Sequence, residues 1–162
     1  MTFKPLFSVI ALVAVILGAI TFSAPSASAA ELSLTAADGT KTVLKTAQLE
    51  ELPVSEISTS TPWTDGVHTF KGVSFADLLD HAGIKAKEVR VSALNDYSVV
   101  IPTDELRDNG AILAYLFDGA EMSVRDKGPY WVIFPFDSDA KLQTDRYWSY
   151  AVWQVKSINA GK

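Results

Sequence analysis

The chain has 162 residues, with 14 basic and 19 acidic side chains, a net charge of −5 and no cysteine. An acidic chain without a basic run lacks the electrostatics that nucleic acid or an anionic membrane surface requires. The missing cysteine excludes disulfides, thiolate-bound zinc, covalently attached c-type haem and a thiol nucleophile. His68 and His81 fall in different predicted elements, which argues against a histidine metal cluster.

Residues 1–30 read as an export signal. Lys4 precedes the apolar run LFSVIALVAVILGAITF, and SAPSASAA follows it. A positive start, a hydrophobic stretch and a small-residue cleavage point stand in the order secretion requires. Cleavage after Ala29 or Ala30 predicts a periplasmic or secreted protein with no stable membrane span. Left uncleaved, the run approaches the roughly 18–20 apolar residues that cross a bilayer and would act as an anchor. The 13 basic and 19 acidic side chains that follow leave a charge of −6. Residues 31–162 suffice for one domain with its own core.

ELSLTAADGTKTVLKT predicts two strands around the turn signal Asp38-Gly39. TAQLEEL predicts a short helix ended by Pro53, and VSEISTST alternates as a strand before the loop PWTDGVH. In GVSFADLLDHAGI, Ser74 suits an N-cap and Gly83 the C-terminal cap, with Phe75, Leu78, Leu79 and Ala82 on one helical face. EVRVSAL alternates as a half-buried strand, and YSVVI resumes extended structure. TDELRDNG predicts a short helix closed by Asn109-Gly110. AILAYLF and YWVIFPF predict central strands, and the aromatic RYWSYAVWQVKSI a final strand. Strands outnumber helices without regular βαβ alternation, so the expected class is α+β with a mixed, mainly antiparallel sheet.

The segments TPWTDGVHTFKGVSFADLLDHAGI, VSALNDYSVVIP, ILAYLFDGAEMSVRDKGPYWVIFP and YWSYAVWQVKSI together resemble the small stand-alone members of the oxidoreductase molybdopterin-binding domain family. The resemblance implies the sulfite oxidase fold over residues 31–162 and molybdopterin as cofactor. In that family's enzymes a cysteine thiolate holds molybdenum shortly before an aromatic-x-Gly segment, which FKG, Phe70 to Gly72, resembles. Ser60 and Thr61 then stand in the cysteine's place, and a neutral hydroxyl is a harder, weaker donor than a thiolate. Aligning Pro129 and Pro135 with the family's G-x-P-V-R region puts Trp131 where an arginine would hold the cofactor phosphate. The basic residue expected before the closing strand falls near Trp153 and Gln154.

Eight residues are candidates for a pocket: Ser60, Thr61, Trp63, Asn95, Asp96, Tyr97, Arg125 and Lys127. Arg125 to Gly128 reads either as a charged hairpin connection or as cations at the mouth of a cleft suited to an anionic small molecule. Leu94 to Tyr97 reads either as a turn or as a pocket lip, with an amide, a carboxylate and an aromatic wall. Trp63, in PWTDG, is a packing residue or a pocket wall. His68 reads as an edge-strand residue and His81 as a partner of its helix dipole. Asp137 and Asp139 read as a solvated turn, since DSDAKLQTD lacks a calcium-loop pattern. Tyr147, Trp148, Tyr150 and Trp153 read chiefly as core and strand surface, with an exposed subset as the alternative for a partner patch.

Two functions follow from these residues. One is a non-catalytic module that keeps the scaffold and uses the old cofactor cleft for a small ligand or for a membrane-bound sensor or redox partner. The other is a molybdopterin-dependent oxidoreductase or its redox subunit.

Overall fold

The computed structural model describes residues 30–161; the predicted export signal, apart from Ala30, lies outside them. Among the described residues no helix is long and apolar enough to cross a membrane.

The first turn signal joins β1 (Glu31–Thr35) to β2 (Lys41–Lys45). There Asp38 Oδ1 accepts from Thr40 N at 2.8 Å and Gly39 takes φ +88°, the left-handed conformation that glycine adopts without strain. A one-turn helix, α1 (Thr46–Leu49), leads into β3 (Val54–Ser60) and β4 (Val67–Ser74). Next come α2 (Phe75–His81), β5 (Glu88–Ala93), β6 (Ser98–Pro102) and α3 (Thr103–Asp108). The chain closes with β7 (Ile112–Phe117), β8 (Ala120–Glu121), β9 (Trp131–Ile133), α4 (Asp145–Tyr150) and β10 (Val155–Ala160).

The strands divide between two sheets, ordered β2-β1-β10-β5-β6 and β3-β4-β7-β8, with β9 also on β7. Only β1 with β10 is parallel among the described pairs; the rest are antiparallel. The α+β class with a mixed, mainly antiparallel strand arrangement is therefore present. β7 reads as a continuous apolar run because both of its faces are covered. Leu113 and Tyr115 join the main core, whereas Ile112 and Ala114 join a smaller cluster with Phe70, Met122, Trp131 and Ile133, as the period of two requires.

Ser74 caps α2 as expected, its Oγ accepting from Asp77 N at 3.0 Å. Phe75, Leu78 and Leu79 of that helix are fully buried, each contributing about 1.5–3 kcal/mol of apolar transfer. Gly72 sits where β4 shifts register against β7, and an added Cβ would lie 2.0 Å from Leu113 O. The glycine of FKG is thus required by backbone approach between strands.

The structure corrects three local expectations. RYWSYAVW is not strand: Asp145–Tyr150 is helical, with Tyr147 and Tyr150 buried against Phe134. YWVIFPF yields only the three residues of β9, which pairs with β7, bridges Trp153 through Trp131, and gives way to a 3₁₀ turn at Phe136–Ser138; Pro135 has no N–H with which to extend the ladder. His68 is not on an edge, since β4 lies between β3 and β7.

Candidate aromatic cleft

β3 ends at Ser60, beside the 3₁₀ turn that carries Asp137. Ser60 N and Ser60 Oγ both donate to the Asp137 carboxylate, each at 2.6 Å. Asp137 N in turn donates to the Oγ1 of fully buried Thr59 at 3.1 Å. The Ser60 hydroxyl, and then the Ser60 amide, hold the Asp137 carboxyl below its ordinary range. Asp137 is therefore an exposed turn residue, as expected, that also ties its turn to the end of β3. Thr61 is buried; its Oγ1 accepts from Trp63 N at 3.2 Å and lies 2.8 Å from Thr64 Oγ1. It shapes the turn that projects Trp63. Neither hydroxyl lines either of the two hollows described below.

Trp63 packs edge-on to Trp153, with ring centroids 5.4 Å apart, and tilted against Trp131 at 6.1 Å. Trp131 is buried, stands perpendicular to Phe70, and donates its indole N–H to Ala151 O at 3.1 Å. At the position compared with a phosphate-holding arginine, the chain has a packed aromatic plug. Beside it opens a cleft of about 350 Å³ walled by Trp63, Trp148, Trp153 and Tyr97, with Asn95 at its lip and Ala151 and Val152 behind. No charged side chain lines it.

The lip is the turn between β5 and β6. Asn95 Oδ1 accepts from Tyr97 N at 3.1 Å, and Tyr97 OH donates to Ser149 O at 3.1 Å, so the turn is fastened to α4. Asp96 occupies the left-handed position at φ +67° and pairs with Lys156 Nζ at 2.9 Å. That hydrogen bond holds its carboxyl below the ordinary range. Of the LNDY carboxylate, amide and phenol, the cleft takes only the amide and the phenol; Asp96 belongs to the turn.

The basic segment lies elsewhere. Residues 122–130 leave the sheet after β8 and return at β9, both of which pair with β7, so Arg125 to Gly128 is an excursion rather than a hairpin turn. Arg125 is exposed on a 3₁₀ turn, and Lys127, at φ +70°, places Nζ 5.5 Å from the Trp131 ring centre. Lys127 lines a second hollow of about 240 Å³, with Phe117, Met122 and Trp131. The eight candidates therefore separate: Trp63, Asn95 and Tyr97 meet in the aromatic cleft, Lys127 borders the other hollow, and Ser60, Thr61, Asp96 and Arg125 line neither.

Trp148 and Trp153, which read from the sequence chiefly as core and strand surface, are both half-buried walls of the cleft. The signal was local, because helical spacing buries Tyr147 and Tyr150 and turns Trp148 to another side. His68 forms a separate clasp, Nδ1 to Asp118 Oδ2 at 2.7 Å and Nε2 to Asp65 O at 2.9 Å. The Asp118 hydrogen bond chiefly raises the His68 pKa above its ordinary value.

Residues 25–137 match the family described as oxidoreductase molybdopterin binding domain. No curated relative matches the chain. Among solved structures, the sulfane dehydrogenase SoxCD from Paracoccus pantotrophus is similar, with a TM-score of 0.61 and 15% identity over 80% of this chain. The chain spans 37% of that protein's length, and what the two share is the fold. The matched segment carries FKG, LNDY and the run into β9, and by it the chain belongs to the oxidoreductase molybdopterin binding domain family.

Proposed function

We propose that the chain is a non-catalytic member of this family, exported to the periplasm, which holds a small ligand in the aromatic cleft and presents it to a membrane-bound sensor or redox partner. The observation that carries this reading is the cleft itself: tryptophan-walled, free of charged lining side chains and about 350 Å³ in volume. Small-molecule sites are typically apolar clefts of roughly 300–1,000 Å³ with a few placed polar groups.

The residues present do not fit a molybdopterin. Its phosphate needs cations or convergent N–H donors, and its metal a soft thiolate. The chain has no cysteine, and the Ser60 hydroxyl that stands in the thiolate's place is bonded to Asp137. Trp131 fills the position compared with the phosphate-holding arginine, and the described residues include no group of three or more His, Asp or Glu able to hold a metal. No chemical step is therefore routed through molybdenum. An anionic ligand suits this cleft no better, because neither Arg125 nor Lys127 lines it. The oxidoreductase reading rests on the family match alone.

Uptake of an uncharged fluorescent dye, N-phenyl-1-naphthylamine, tests the cleft. Saturable binding at one site per chain is expected, with affinity falling about tenfold or more in Trp63→Ala. No uptake, or uptake indifferent to Trp63→Ala and Trp153→Ala alike, contradicts the proposal.

A further inference from the structure

Resting on the reading of the cleft as a binding site, we infer that its ligand is an uncharged planar ring with carbonyl oxygens at its edge, the chemistry of a quinone headgroup. The inference comes from which hydrogen-bonding groups are already used. Five backbone acceptors around the cleft already hold a donor. Ala151 O takes the Trp131 indole N–H, Val152 O takes Val132 N at 2.9 Å, and Ser149 O takes the Tyr97 hydroxyl. Trp148 O and Ala93 O take Ala151 N and Asp96 N, at 3.2 Å each.

The donors are not. Asn95 uses its oxygen on Tyr97 N, which leaves its NH₂ without a partner among the described residues. The indole N–H groups of Trp63, Trp148 and Trp153 likewise have none there, unlike that of Trp131. Asn95 is exposed, and no buried side-chain nitrogen or oxygen of the half-buried residues is left unsatisfied, so the three indole N–H groups keep accessible surface. An indole N–H can only donate.

The cleft thus combines flat aromatic walls, lining residues whose N–H donors have no partner, and no lining charge. A carboxylate or phosphate entering it would lose water without gaining a cation, and a ligand without acceptors would leave the donors unpaired. A neutral ring with edge carbonyls satisfies both conditions, stacking on indole faces while its oxygens accept.

Competition against bound N-phenyl-1-naphthylamine tests this with three bicyclic probes: 1,4-naphthoquinone, naphthalene and 2-naphthoate. The quinone is expected to displace the dye at about tenfold lower concentration than naphthalene, one hydrogen bond's worth of affinity, and naphthoate is expected to be weakest. Asn95→Asp keeps an oxygen for Tyr97 N and removes the NH₂, so it should abolish the quinone's advantage while leaving naphthalene unchanged. Equal displacement by quinone and naphthalene, an advantage untouched by Asn95→Asp, or preference for naphthoate overturns the carbonyl ligand while the cleft stands. Failure of the dye to bind wild-type protein removes the binding site and this inference with it.

Discussion

Replacing Asp137 with alanine isolates the contact that commits Ser60 to structure. The substitution removes two hydrogen bonds, each 2.6 Å long, from the Ser60 amide and hydroxyl to one carboxylate. Bonds to a charged group contribute about 1.5–3 kcal/mol each when shielded. Asp137 is exposed, and solvent screening reduces the pair to a total of about 1–2 kcal/mol. With a urea slope of about 2 kcal/mol/M for a domain of this size, the midpoint should fall by roughly 0.5–1 M at unchanged slope. Ser60→Ala, which keeps the amide bond, should lose about half as much. The effect has a defined pH dependence. The Asp137 carboxyl is held below its ordinary value by Ser60, so its contribution is complete above the unfolded pKa of about 3.9 and is lost as acid titrates it through the lower native value. The gap between wild type and Asp137→Ala should therefore be full at pH 7 and shrink below about pH 4. An unchanged midpoint at pH 7, or a gap that widens on acidification, would refute the tie.

The clasp at His68 titrates in the opposite sense. Its pKa is raised by the Asp118 hydrogen bond, so its stabilisation is present below the unfolded value of about 6.5 and disappears as pH rises through the native one. Urea midpoints should show His68→Gln less stable than wild type near pH 5.5, with the difference lost as pH rises through the native value, and an imidazole NMR titration midpoint above 6.5 in the native protein. At Gly72, an alanine Cβ would meet Leu113 O at 2.0 Å and Leu113 C at 2.6 Å, both backbone atoms. Gly72→Ala should destabilise by about 3 kcal/mol or more, or give insoluble protein; a soluble variant with a wild-type melting temperature would remove the close-approach reading of FKG.

The parts of the fold that were legible are those in which local and global preferences agree. Ser74 and Gly83 bracket α2 because capping chemistry is written within a few residues, and the alternation of EVRVSA reports a sheet with one buried face. RYWSYAVW misleads because aromatic residues favour strands in general, while burial of Tyr147 and Tyr150 against Phe134 favours a helix here. The candidate site divides along similar lines. LNDY and PWTDG mark turns, and turns carry Asn95, Tyr97 and Trp63 to one lip. The Ser60–Asp137 tie joins residues 77 apart in sequence, and no local pattern reports it. Arg125 and Lys127 stand apart from the aromatic cleft because the excursion at 122–130 carries Lys127 to the second hollow and leaves Arg125 exposed outside both.

The most direct measurement is the molybdenum and pterin content of protein expressed with its full sequence, in a host that makes the cofactor, and then purified. Folded, stable protein with metal and pterin far below one per chain is the predicted result. Near-stoichiometric molybdenum would contradict it, because a hydroxyl tied to Asp137 and a tryptophan in the arginine's place would then be holding the cofactor after all.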